Sequence, residues 1–469
     1  IWLLGYCFLC AFFDVTRYVR LATRFTDEIF AMLIVIIFVF KAVGDPLSPA
    51  GLLWYLDPNH KSHKDQAEDY QYLSVALLGI ILGFGTTSLI FFFRSFKFSS
   101  FFCNDTIRTS VHDFAVTLSV IVFTLIKELG FPDVQTEQLN VPDKFEPTFR
   151  CCTSACDSLW PDACPEVEAP AGTRSWFVDL TDCPGWVPIA AAGPAIMAFL
   201  LVYLDDGITW HLINHKHNKI THGEAYNYDI CLVGLFNCTN GLLGLPWLVA
   251  TTVPCIIHLN SLAEKDKDGK IIEVQQTRLT MFFSHLLLGL SLLFIDALKV
   301  LPVPVLLGVF LFMGVSSLPA MEFWQRILLF FQQPSKYPET HYLKYMENGR
   351  VHKYTCFQIL FFFGIFIVMN IKSISIAFPF MTFLCIPGRL YFLPKFFAGW
   401  ELTLLDGEED QIERWVDAKV ESMRGHKMEE GGDCTGYLSE VSSNDGGPTK
   451  PAAPARNVKP SNVVDEYDV

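Results

Sequence analysis

The sequence predicts an all-α polytopic membrane protein, and three observations lead to this fold class. Of its 469 residues, 51% are apolar and 42 are phenylalanine. Only 18% are charged, against roughly 25% in an ordinary soluble domain. Apolar runs of membrane-spanning length recur up to about position 400, and ~20 helical residues cross the ~30 Å hydrocarbon layer. Nine or ten crossings are expected, and collagen-like, wholly disordered and small disulfide-stapled classes are excluded.

The apolar runs are predicted to form helices in the order of the chain. The first begins at Trp2 and ends near Asp14, and a basic turn follows it. The other runs are 29–43, 73–93, 116–125, 186–204, 230–249, 279–295, 303–318, 357–369 and 374–397. Glycines and a proline interrupt the run at 230–249, which predicts a broken helix there.

The net charge of −14 is concentrated in the tail from residue 401, which has 16 Asp or Glu and 7 Lys or Arg. In the apolar part, 17 Lys or Arg lie in alternate loops and nine in the opposite loops and helix ends. Because basic residues near helix ends resist translocation, the first set of loops and the tail are predicted to be cytoplasmic. The polar loop 130–185 is then external, where an oxidising medium permits disulfides. Its candidate disulfide cysteines are Cys151, Cys152, Cys156, Cys164 and Cys183.

Asp205 and Asp206 are the strongest candidates for a functional site, because charged groups inside a membrane helix are costly. If the helix continues to about Ile213, Asp205 lies about two turns from its end. Thr209 is four residues further on and therefore shares a helix face with Asp205. A carboxylate and a hydroxyl on one face suit a small hard cation. The alternative is that the two aspartates mark the cytoplasmic end of the helix.

The second candidate is the broken helix, where the cluster 250–254 follows Gly241, Gly244 and Pro246. The segment Thr251–Pro254 can open a new helix, with a threonine as its cap and Pro254 in its first turn. A half-helix that begins at mid-membrane directs unpaired N–H groups and a positive dipole end into the protein, which favours an anion. The alternative is a proline-kinked packing helix whose threonines bond to their own backbone.

Weaker patterns occur towards the cytoplasmic side and the C-terminus. His211, His215, His217 and His222 cluster near a helix end, but carboxylates or cysteines at metal-ligand spacing do not accompany them. The acidic run 404–410 could bind a basic soluble partner, and the C-terminal residues 467–469 could enter a carboxylate-binding groove. The sequence contains no P-loop, no Gly-x-Ser-x-Gly and no His-Glu-x-x-His. Neither an enzyme nor a nucleic-acid-binding protein is therefore expected, and no cofactor is predicted.

Several of these segments resemble the solute carrier 4 family, the bicarbonate transporters of the band 3 and sodium bicarbonate cotransporter type. The resemblance is strongest at Pro304–Leu318 and runs in family order from about residue 14 to about residue 405. The matching stretches are Arg24–Phe30, Val111–Phe114, Gly244–Trp247, Ala250–Val253 with His258, Pro304–Leu318 and Arg326–Ile327.

The resemblance implies a fold of fourteen transmembrane segments in two inverted repeats of seven, with a core and a gate domain, as a homodimer. On that pattern the chain is N-terminally incomplete and begins in the fourth segment, so about the first three segments are missing. Segment 4 of the core and segments 5–7 of the gate would occupy residues 1–129. The Cys-rich loop would occupy residues 130–185. Core segments 8–11 would occupy residues 186–298, and gate segments 12–14 would occupy residues 299–400. The acidic tail, largely disordered, would occupy residues 401–469.

The resemblance also implies roles for the two candidate sites. Substrate anion would bind at Thr251, Thr252 and Val253, and a coupling cation at Asp205, Thr209 and Ala250. Exchangers of the family have Arg where Pro254 stands and Glu at the position of Asp205. Sodium-coupled members lack that Arg and have Asp and Thr at the positions of Asp205 and Thr209. Because a site without a fixed cation leaves Asp205 unneutralised, sodium is a plausible counter-ion. Pro254 fits neither subgroup.

We therefore expect secondary transport of bicarbonate or carbonate, coupled to sodium, through movement of core against gate. The expected location is the plasma membrane, with the tail cytoplasmic. The alternatives are a chloride–bicarbonate exchanger, a borate transporter and, from another class, a non-transporting membrane scaffold.

Overall fold

The computed structural model of the protein describes residues 1–21, 23–44, 51–56, 71–98, 104–139, 141, 175–179, 184–214, 218–265, 271–371 and 374–429. These residues belong to two units, one that ends at Glu408 and one that begins at Glu409. Each unit is predominantly helical. In the second unit, one acidic helix covers Glu409–Glu429.

The first unit contains fourteen principal helices within the described ranges. They are α1 Trp2–Phe12, α2 Arg24–Val43, α3 Gln71–Ser95, α4 Asp105–Asp113, α5 Ala115–Leu125, α6 Ala192–Ile213, α7 Tyr226–Leu242, α8 Thr252–Leu262, α9 Leu279–Leu290, α10 Val303–Ser317, α11 Glu322–Leu328, α12 Asn348–Asn370, α13 Phe378–Phe383 and α14 Gly399–Asp406. Single turns at Val187–Ala190, Ile295–Lys299, His341–Tyr345 and Cys385–Pro387 lie between them.

Several helix boundaries follow from local sequence. Asn104 precedes α4, and its side chain accepts a hydrogen bond from the Thr106 N–H at 3.0 Å, which satisfies one of the unpaired donors at the helix start. α10 begins directly after Pro302 and has Pro304 in its first turn, where the missing N–H has no helical partner to lose.

Fewer helices are long enough to cross a membrane singly than the sequence predicts. Four described helices have the necessary length and composition, at Leu73–Ser95, Val187–Ile213, Leu279–Lys299 and Asn348–Asn370. The number rises to six if each of two bent helix pairs counts as one span. The first pair is α4 with α5 and its extension to Gly130, bent by 69°, and the second is α10 with α11, bent by 78°. Among the other apolar runs, α2 has 20 residues but carries charged residues near both ends. The remaining runs form shorter helices, because prolines, glycines and polar residues interrupt them.

The expectation of a purely helical chain needs one correction. Residues Ala263–Lys265 and Ile271–Val274 form a small antiparallel hairpin of two strands, β1 and β2, in which Ala263 pairs with Val274. The hairpin lies in the polar loop that the sequence predicts between α8 and α9, outside every predicted apolar run. The hairpin therefore leaves the helical architecture unchanged.

One group of helices packs around α1. This helix lies against α6 and α7, and α8 also packs on α6. Buried side chains of α1, α6 and α7 form a common core of Leu3, Cys7, Cys10, Val202, Tyr203 and Ile230. The aspartates of α6 therefore lie on a helix that α1, α7 and α8 contact.

A second group is centred on α10, which packs against α2, α3 and α5. Gly308 lies at the crossing of α10 and α3, and a Cβ atom added there would overlap the backbone carbonyl of Gly83. The Thr87 hydroxyl donates to the Gly308 carbonyl at 2.8 Å across the same crossing. Backbone approaches as close as this require a residue without a side chain.

A buried charged network joins α2, α11 and α12. The Arg326 side chain is fully buried and forms ion pairs with Glu28 and with Glu322, the latter at 3.1 Å. It also donates to Gln358 Oε1 at 2.9 Å. Arg24 pairs with both glutamates, at 3.4 Å to Glu28. Because charges taken out of water need several partners, this network ties three helices together.

The last helix of the first unit is held by a second arginine. Arg350 of α12 forms an ion pair with Glu401 of α14 and donates to the Phe396 carbonyl at 2.9 Å. Burial opposes ionisation of Glu401, but hydrogen bonds from Arg350 and from the Ala398 N–H outweigh it and lower the pKa of the carboxyl below its ordinary value.

Gly308→Ala should destabilise the protein by about 1–3 kcal/mol, because the added methyl group cannot be accommodated without separating α3 from α10. The matched control is Gly364→Ala, a glycine in the middle of α12 where an added Cβ meets nothing within 4 Å. That substitution should be neutral or stabilising by up to about 1 kcal/mol. The midpoint of heat-induced aggregation in detergent measures both, and equal midpoints would show that the crossing is not tightly packed.

Arg326→Met should lower the free energy of unfolding by about 3 kcal/mol, because the half-buried carboxylates of Glu28 and Glu322 lose their fully buried counter-charge and keep only Arg24, which is 34% exposed. The control is Lys299→Met, which removes a cation paired with the exposed Asp296 and should cost at most about 1 kcal/mol. Thermal unfolding followed by intrinsic fluorescence compares the two variants. Similar losses of stability would contradict a structural role for the network.

Candidate ion-binding site

A break between α7 and α8 forms one side of the candidate site. α7 ends at Leu242, residues 243–251 are not helical and α8 begins at Thr252. Gly244 has a φ of +66°, a conformation that glycine adopts without a steric penalty. The Leu245 N–H then donates to the Asn240 carbonyl at 2.7 Å, and the Leu242 carbonyl accepts from the Val178 N–H at 2.8 Å.

Asn237 holds the non-helical stretch in place. Its side-chain oxygen accepts a hydrogen bond from the Leu248 N–H at 2.6 Å, and its Nδ2 donates to the Leu248 carbonyl at 3.0 Å. Asn237 is only 3% exposed. One amide side chain therefore satisfies both backbone groups of a residue that no helix or strand includes.

The other side of the site is α6, which continues through Ile213. Asp205 is thus eight residues before the last residue of the helix, about two turns, as the sequence predicts. Asp205 and Asp206 are 6% and 3% exposed. The Thr209 hydroxyl donates to the Asp205 carbonyl at 2.9 Å along the same face.

The two sides meet at the start of α8. The hydroxyl oxygens of Thr252 and Thr209 are 2.6 Å apart, and the Thr252 side chain also forms a hydrogen bond with the Asp205 carboxylate. The Asp206 carboxylate accepts from the Ala250 N–H. Four of the predicted site residues, Asp205, Thr209, Ala250 and Thr252, are therefore brought together, with Asp206 beside them.

The two other predicted residues are placed differently. A threonine, Thr251, occupies the N-cap position of α8 as predicted, but its side chain makes no capping hydrogen bond. That hydroxyl is exposed and its contact is with Cys255 Sγ at 3.9 Å. Val253 lies in the first turn of α8, and its predicted role in binding the anion stays a prediction.

The charges around this site are predominantly negative. Neither Asp205 nor Asp206 forms an ion pair with a lysine or arginine of the described chain, and Asp229 adds a third carboxylate near Asp206. The positive contribution comes from the first turn of α8, whose N–H groups have no partner inside the helix and whose dipole is positive at this end. Pro254 removes one of those donors.

The remaining sequence predictions have mixed outcomes. His211 contacts Asp27 at 3.2 Å and Glu408 at 3.5 Å, His222 is exposed, and His215 and His217 lie outside the described residues. Within the described ranges, no three His, Cys, Asp or Glu side chains form a metal-binding group. The five cysteines of the polar loop, Cys151, Cys152, Cys156, Cys164 and Cys183, also lie outside the described residues.

The acidic run 404–410 differs from a solvated patch. Asp406 is buried, and its carboxylate accepts hydrogen bonds from the Phe25 N–H and from Arg389 Nε, both at 2.5 Å. Its carboxylate therefore joins α2 to α14 within the first unit and is not available to a soluble partner.

Two features of the site were not predicted. The first is the pairing of Asn237 with Leu248, although a polar amide in an apolar helix is itself a signal for an internal partner. The contact of His211 with Asp27 joins α6 to α2, which are far apart in sequence, and nothing in the local pattern indicates it.

Comparison with known proteins identifies the family. The profile of the HCO3- transporter integral membrane domain matches residues 1–52, 55–155 and 162–410. The chain belongs to the bicarbonate transporter family. It is thus an integral membrane protein from a family of transporters, and an enzymatic function is not indicated.

Three human members of this family illustrate the similarity. Anion exchange protein 2 is 31% identical over 442 residues, band 3 anion transport protein 31% over 424 residues and anion exchange protein 3 31% over 440 residues. Each alignment covers 87% of this chain, but only 34%, 43% and 34% of the respective relative. The chain thus spans between a third and a half of the length of these bicarbonate-transporter relatives.

Asn237→Leu should reduce transport at least about tenfold, because it leaves the N–H and carbonyl of Leu248 without partners at a cost of about 1–3 kcal/mol each. The control is Thr239→Val on the same helix, since the exposed Thr239 hydroxyl bonds only within its own helix, to the Leu235 carbonyl. Anion flux per molecule at the cell surface measures both variants. Normal flux in Asn237→Leu would show that the non-helical stretch does not depend on this side chain.

Proposed function

We propose that the chain carries bicarbonate or carbonate across a membrane and that the transport is coupled to sodium. Membership of the bicarbonate transporter family supports the anion. One observation supports the cation: two buried carboxylates, Asp205 and Asp206, contact the start of α8, and neither has a lysine or arginine partner in the described chain. A bound cation would offset this charge next to an anion.

In this proposal the anion binds at the N-terminus of α8. The backbone N–H groups of Thr251, Thr252 and Val253 would donate to its oxygens, and the helix dipole would add to the attraction. Both bicarbonate and carbonate are planar oxyanions, which a row of N–H groups suits.

The cation would bind beside it, at the Asp205 carboxylate and the hydroxyls of Thr209 and Thr252. The Thr252 hydroxyl already lies 2.6 Å from the Thr209 hydroxyl and beside the Asp205 carboxylate. Sodium is a hard cation and takes oxygen ligands of this type. Because the same Thr252 belongs to the first turn of α8, cation and anion would be bound together, which provides a physical basis for coupling.

A second candidate function is chloride–bicarbonate exchange. The relatives reported above are named anion exchange proteins and band 3 anion transport protein, which favours exchange. In that case protonation of a carboxylate, rather than sodium, would have to remove the excess negative charge.

Further parts of the proposal concern assembly and placement. The family resemblance supports a homodimer, a movement of core against gate and a plasma-membrane location. The uneven distribution of Lys and Arg among the loops supports a cytoplasmic tail. A soluble partner, if the tail binds one, would contact residues beyond Asp406.

Recovery of intracellular pH after an acid load tests the coupling. In cells that express the complete protein, recovery in bicarbonate buffer should require external sodium and continue without chloride. Asp205→Asn should slow recovery at least about tenfold, because a tenfold effect needs only about 1.4 kcal/mol of lost binding.

The matched control is Asp296→Asn, the same change at a carboxylate whose side chain is 99% exposed. Recovery that needs chloride and persists in sodium-free medium would replace the sodium proposal by exchange. Full recovery in Asp205→Asn at normal surface abundance would remove the site from either mechanism, and a wild-type protein without any anion flux would favour a scaffold.

A further inference from the structure

His211, near the end of α6, faces two carboxylates. Its Nδ1 is 3.2 Å from Asp27 Oδ2, and its Nε2 is 3.5 Å from Glu408 Oε1. A neutral imidazole donates a hydrogen bond from one of its two nitrogens. Here each nitrogen has a carboxylate oxygen in front of it, so the contact does not depend on which nitrogen holds the proton.

The two carboxylates that face His211 are anchored to each other. Asp27 lies near the start of α2, and Glu408 follows the last residue of α14 by two positions. Between them, the Asp406 carboxylate accepts a hydrogen bond from the Phe25 N–H of α2 at 2.5 Å. The start of α2 and the residues after α14 are therefore fixed to each other, and the histidine reaches them from a different helix.

Asp27 depends on the histidine for its pairing. The residue is 7% exposed, and its Oδ1 has no hydrogen-bond partner within the described residues. The other oxygen is the one that His211 contacts. Because a buried carboxylate without a donor is costly, the two side chains can separate only when water reaches this end of α6. The distribution of Lys and Arg predicts that this end is cytoplasmic.

The contact crosses between two groups of helices. α6 belongs to the group around α1, whereas α2 packs against α10. In the middle of α6 the packing is apolar, and Leu204 lies against Phe383 and Ile386. Apolar contacts have no preferred direction, but hydrogen bonds need specific distances and angles. The polar contact at the end of α6 therefore defines one position of this helix relative to α2.

We propose that His211, Asp27 and Glu408 form a latch that holds the end of α6 against α2 while the ion site is closed to the cytoplasm. Opening of the site on this side breaks the latch. This inference rests on the proposed movement of core against gate, because on the family pattern α6 belongs to the core and α2 to the gate. Asp205 lies six residues before His211, about 9 Å along the helix axis, so the latch controls access to the carboxylate that would bind the cation.

Joining the two sides of the latch tests whether it must open. In vesicles that contain the complete protein with His211→Cys and Asp27→Cys, a short bifunctional thiosulfonate reagent should link the two introduced thiols. Bicarbonate flux should then fall at least about tenfold, because a transporter that cannot change its conformation cannot turn over. Reduction of the link should restore the flux. Mass spectrometry of peptides identifies the link, and the single-cysteine variants and the wild type correct for reaction of the native cysteines.

A second cysteine pair provides the matched control. The Thr16 hydroxyl donates to Asn227 Oδ1 at 2.5 Å, and this contact lies within the group around α1, where no opening is proposed. Thr16→Cys with Asn227→Cys should accept the same link without loss of flux. Equal losses in the two linked pairs would contradict a latch at His211.

His211→Phe tests the latch in the opposite direction, because phenylalanine keeps a ring but has neither nitrogen. The state that is open to the cytoplasm should become more populated. The ratio of half-saturating bicarbonate on the cytoplasmic side to that on the external side should therefore fall about fivefold or more. His211→Asn should lower the ratio less, since its amide can still donate to Asp27. His222→Phe, at an exposed histidine, is the control.

The outcomes separate the latch from the proposed function. A wild-type protein that carries no bicarbonate refutes the proposed function itself. Wild-type flux together with full activity of the linked latch pair refutes only the latch, and so does an unchanged ratio in His211→Phe. Failure of the reagent to join the pair would show that the two side chains are not adjacent. Should Asp27→Cys fail to reach the membrane, Glu408→Cys replaces it, at a side chain that is 48% exposed.

Discussion

Backbone that leaves a helix inside an apolar protein must find hydrogen-bond partners other than water, and this constraint governs the region around the candidate site. The stretch between α7 and α8 is not helical, yet Asn237 pairs with both backbone groups of Leu248, and the Leu245 N–H donates to the Asn240 carbonyl. These bonds hold the stretch that leads into α8, where the Thr252 hydroxyl lies 2.6 Å from the Thr209 hydroxyl of α6. The N–H groups of its first turn have no partner inside the helix, and in the proposed function they would bind the oxyanion without an arginine.

The same arrangement concentrates negative charge. Asp205 and Asp206 reach the start of α8 from another helix, and their partners are a hydroxyl and a backbone N–H. Hydrogen bonds of this kind orient a carboxylate but do not neutralise it. An anion can approach such a place only together with positive charge, and this is the physical reason to connect anion transport here with a cation.

Away from the site, carboxylates inside the helical packing are paired with an arginine. The carboxylates of Glu28 and Glu322 are neutralised by Arg326, whose guanidinium also faces the rings of Tyr342 and Tyr354 at 5.9 and 5.4 Å. This cluster is internally complete and holds α2, α11 and α12 together. The contrast between compensated charges among these helices and uncompensated charges beside α8 distinguishes a structural network from a binding site.

The sequence by itself determined the membrane class, the family, the position of the helix break and the shared helix face of Asp205 and Thr209, because hydropathy, proline and glycine positions and short motifs are local properties. It did not determine the hairpin at 263–274, the burial of Asp406 or the pairing of Asn237 with Leu248. Nor could it decide that Thr252, and not Thr251, meets the aspartates. Those results depend on which helix faces which neighbour, and that is decided by packing among segments distant in sequence. Only the tertiary structure could show that His211, near the end of α6, contacts both Asp27 and Glu408.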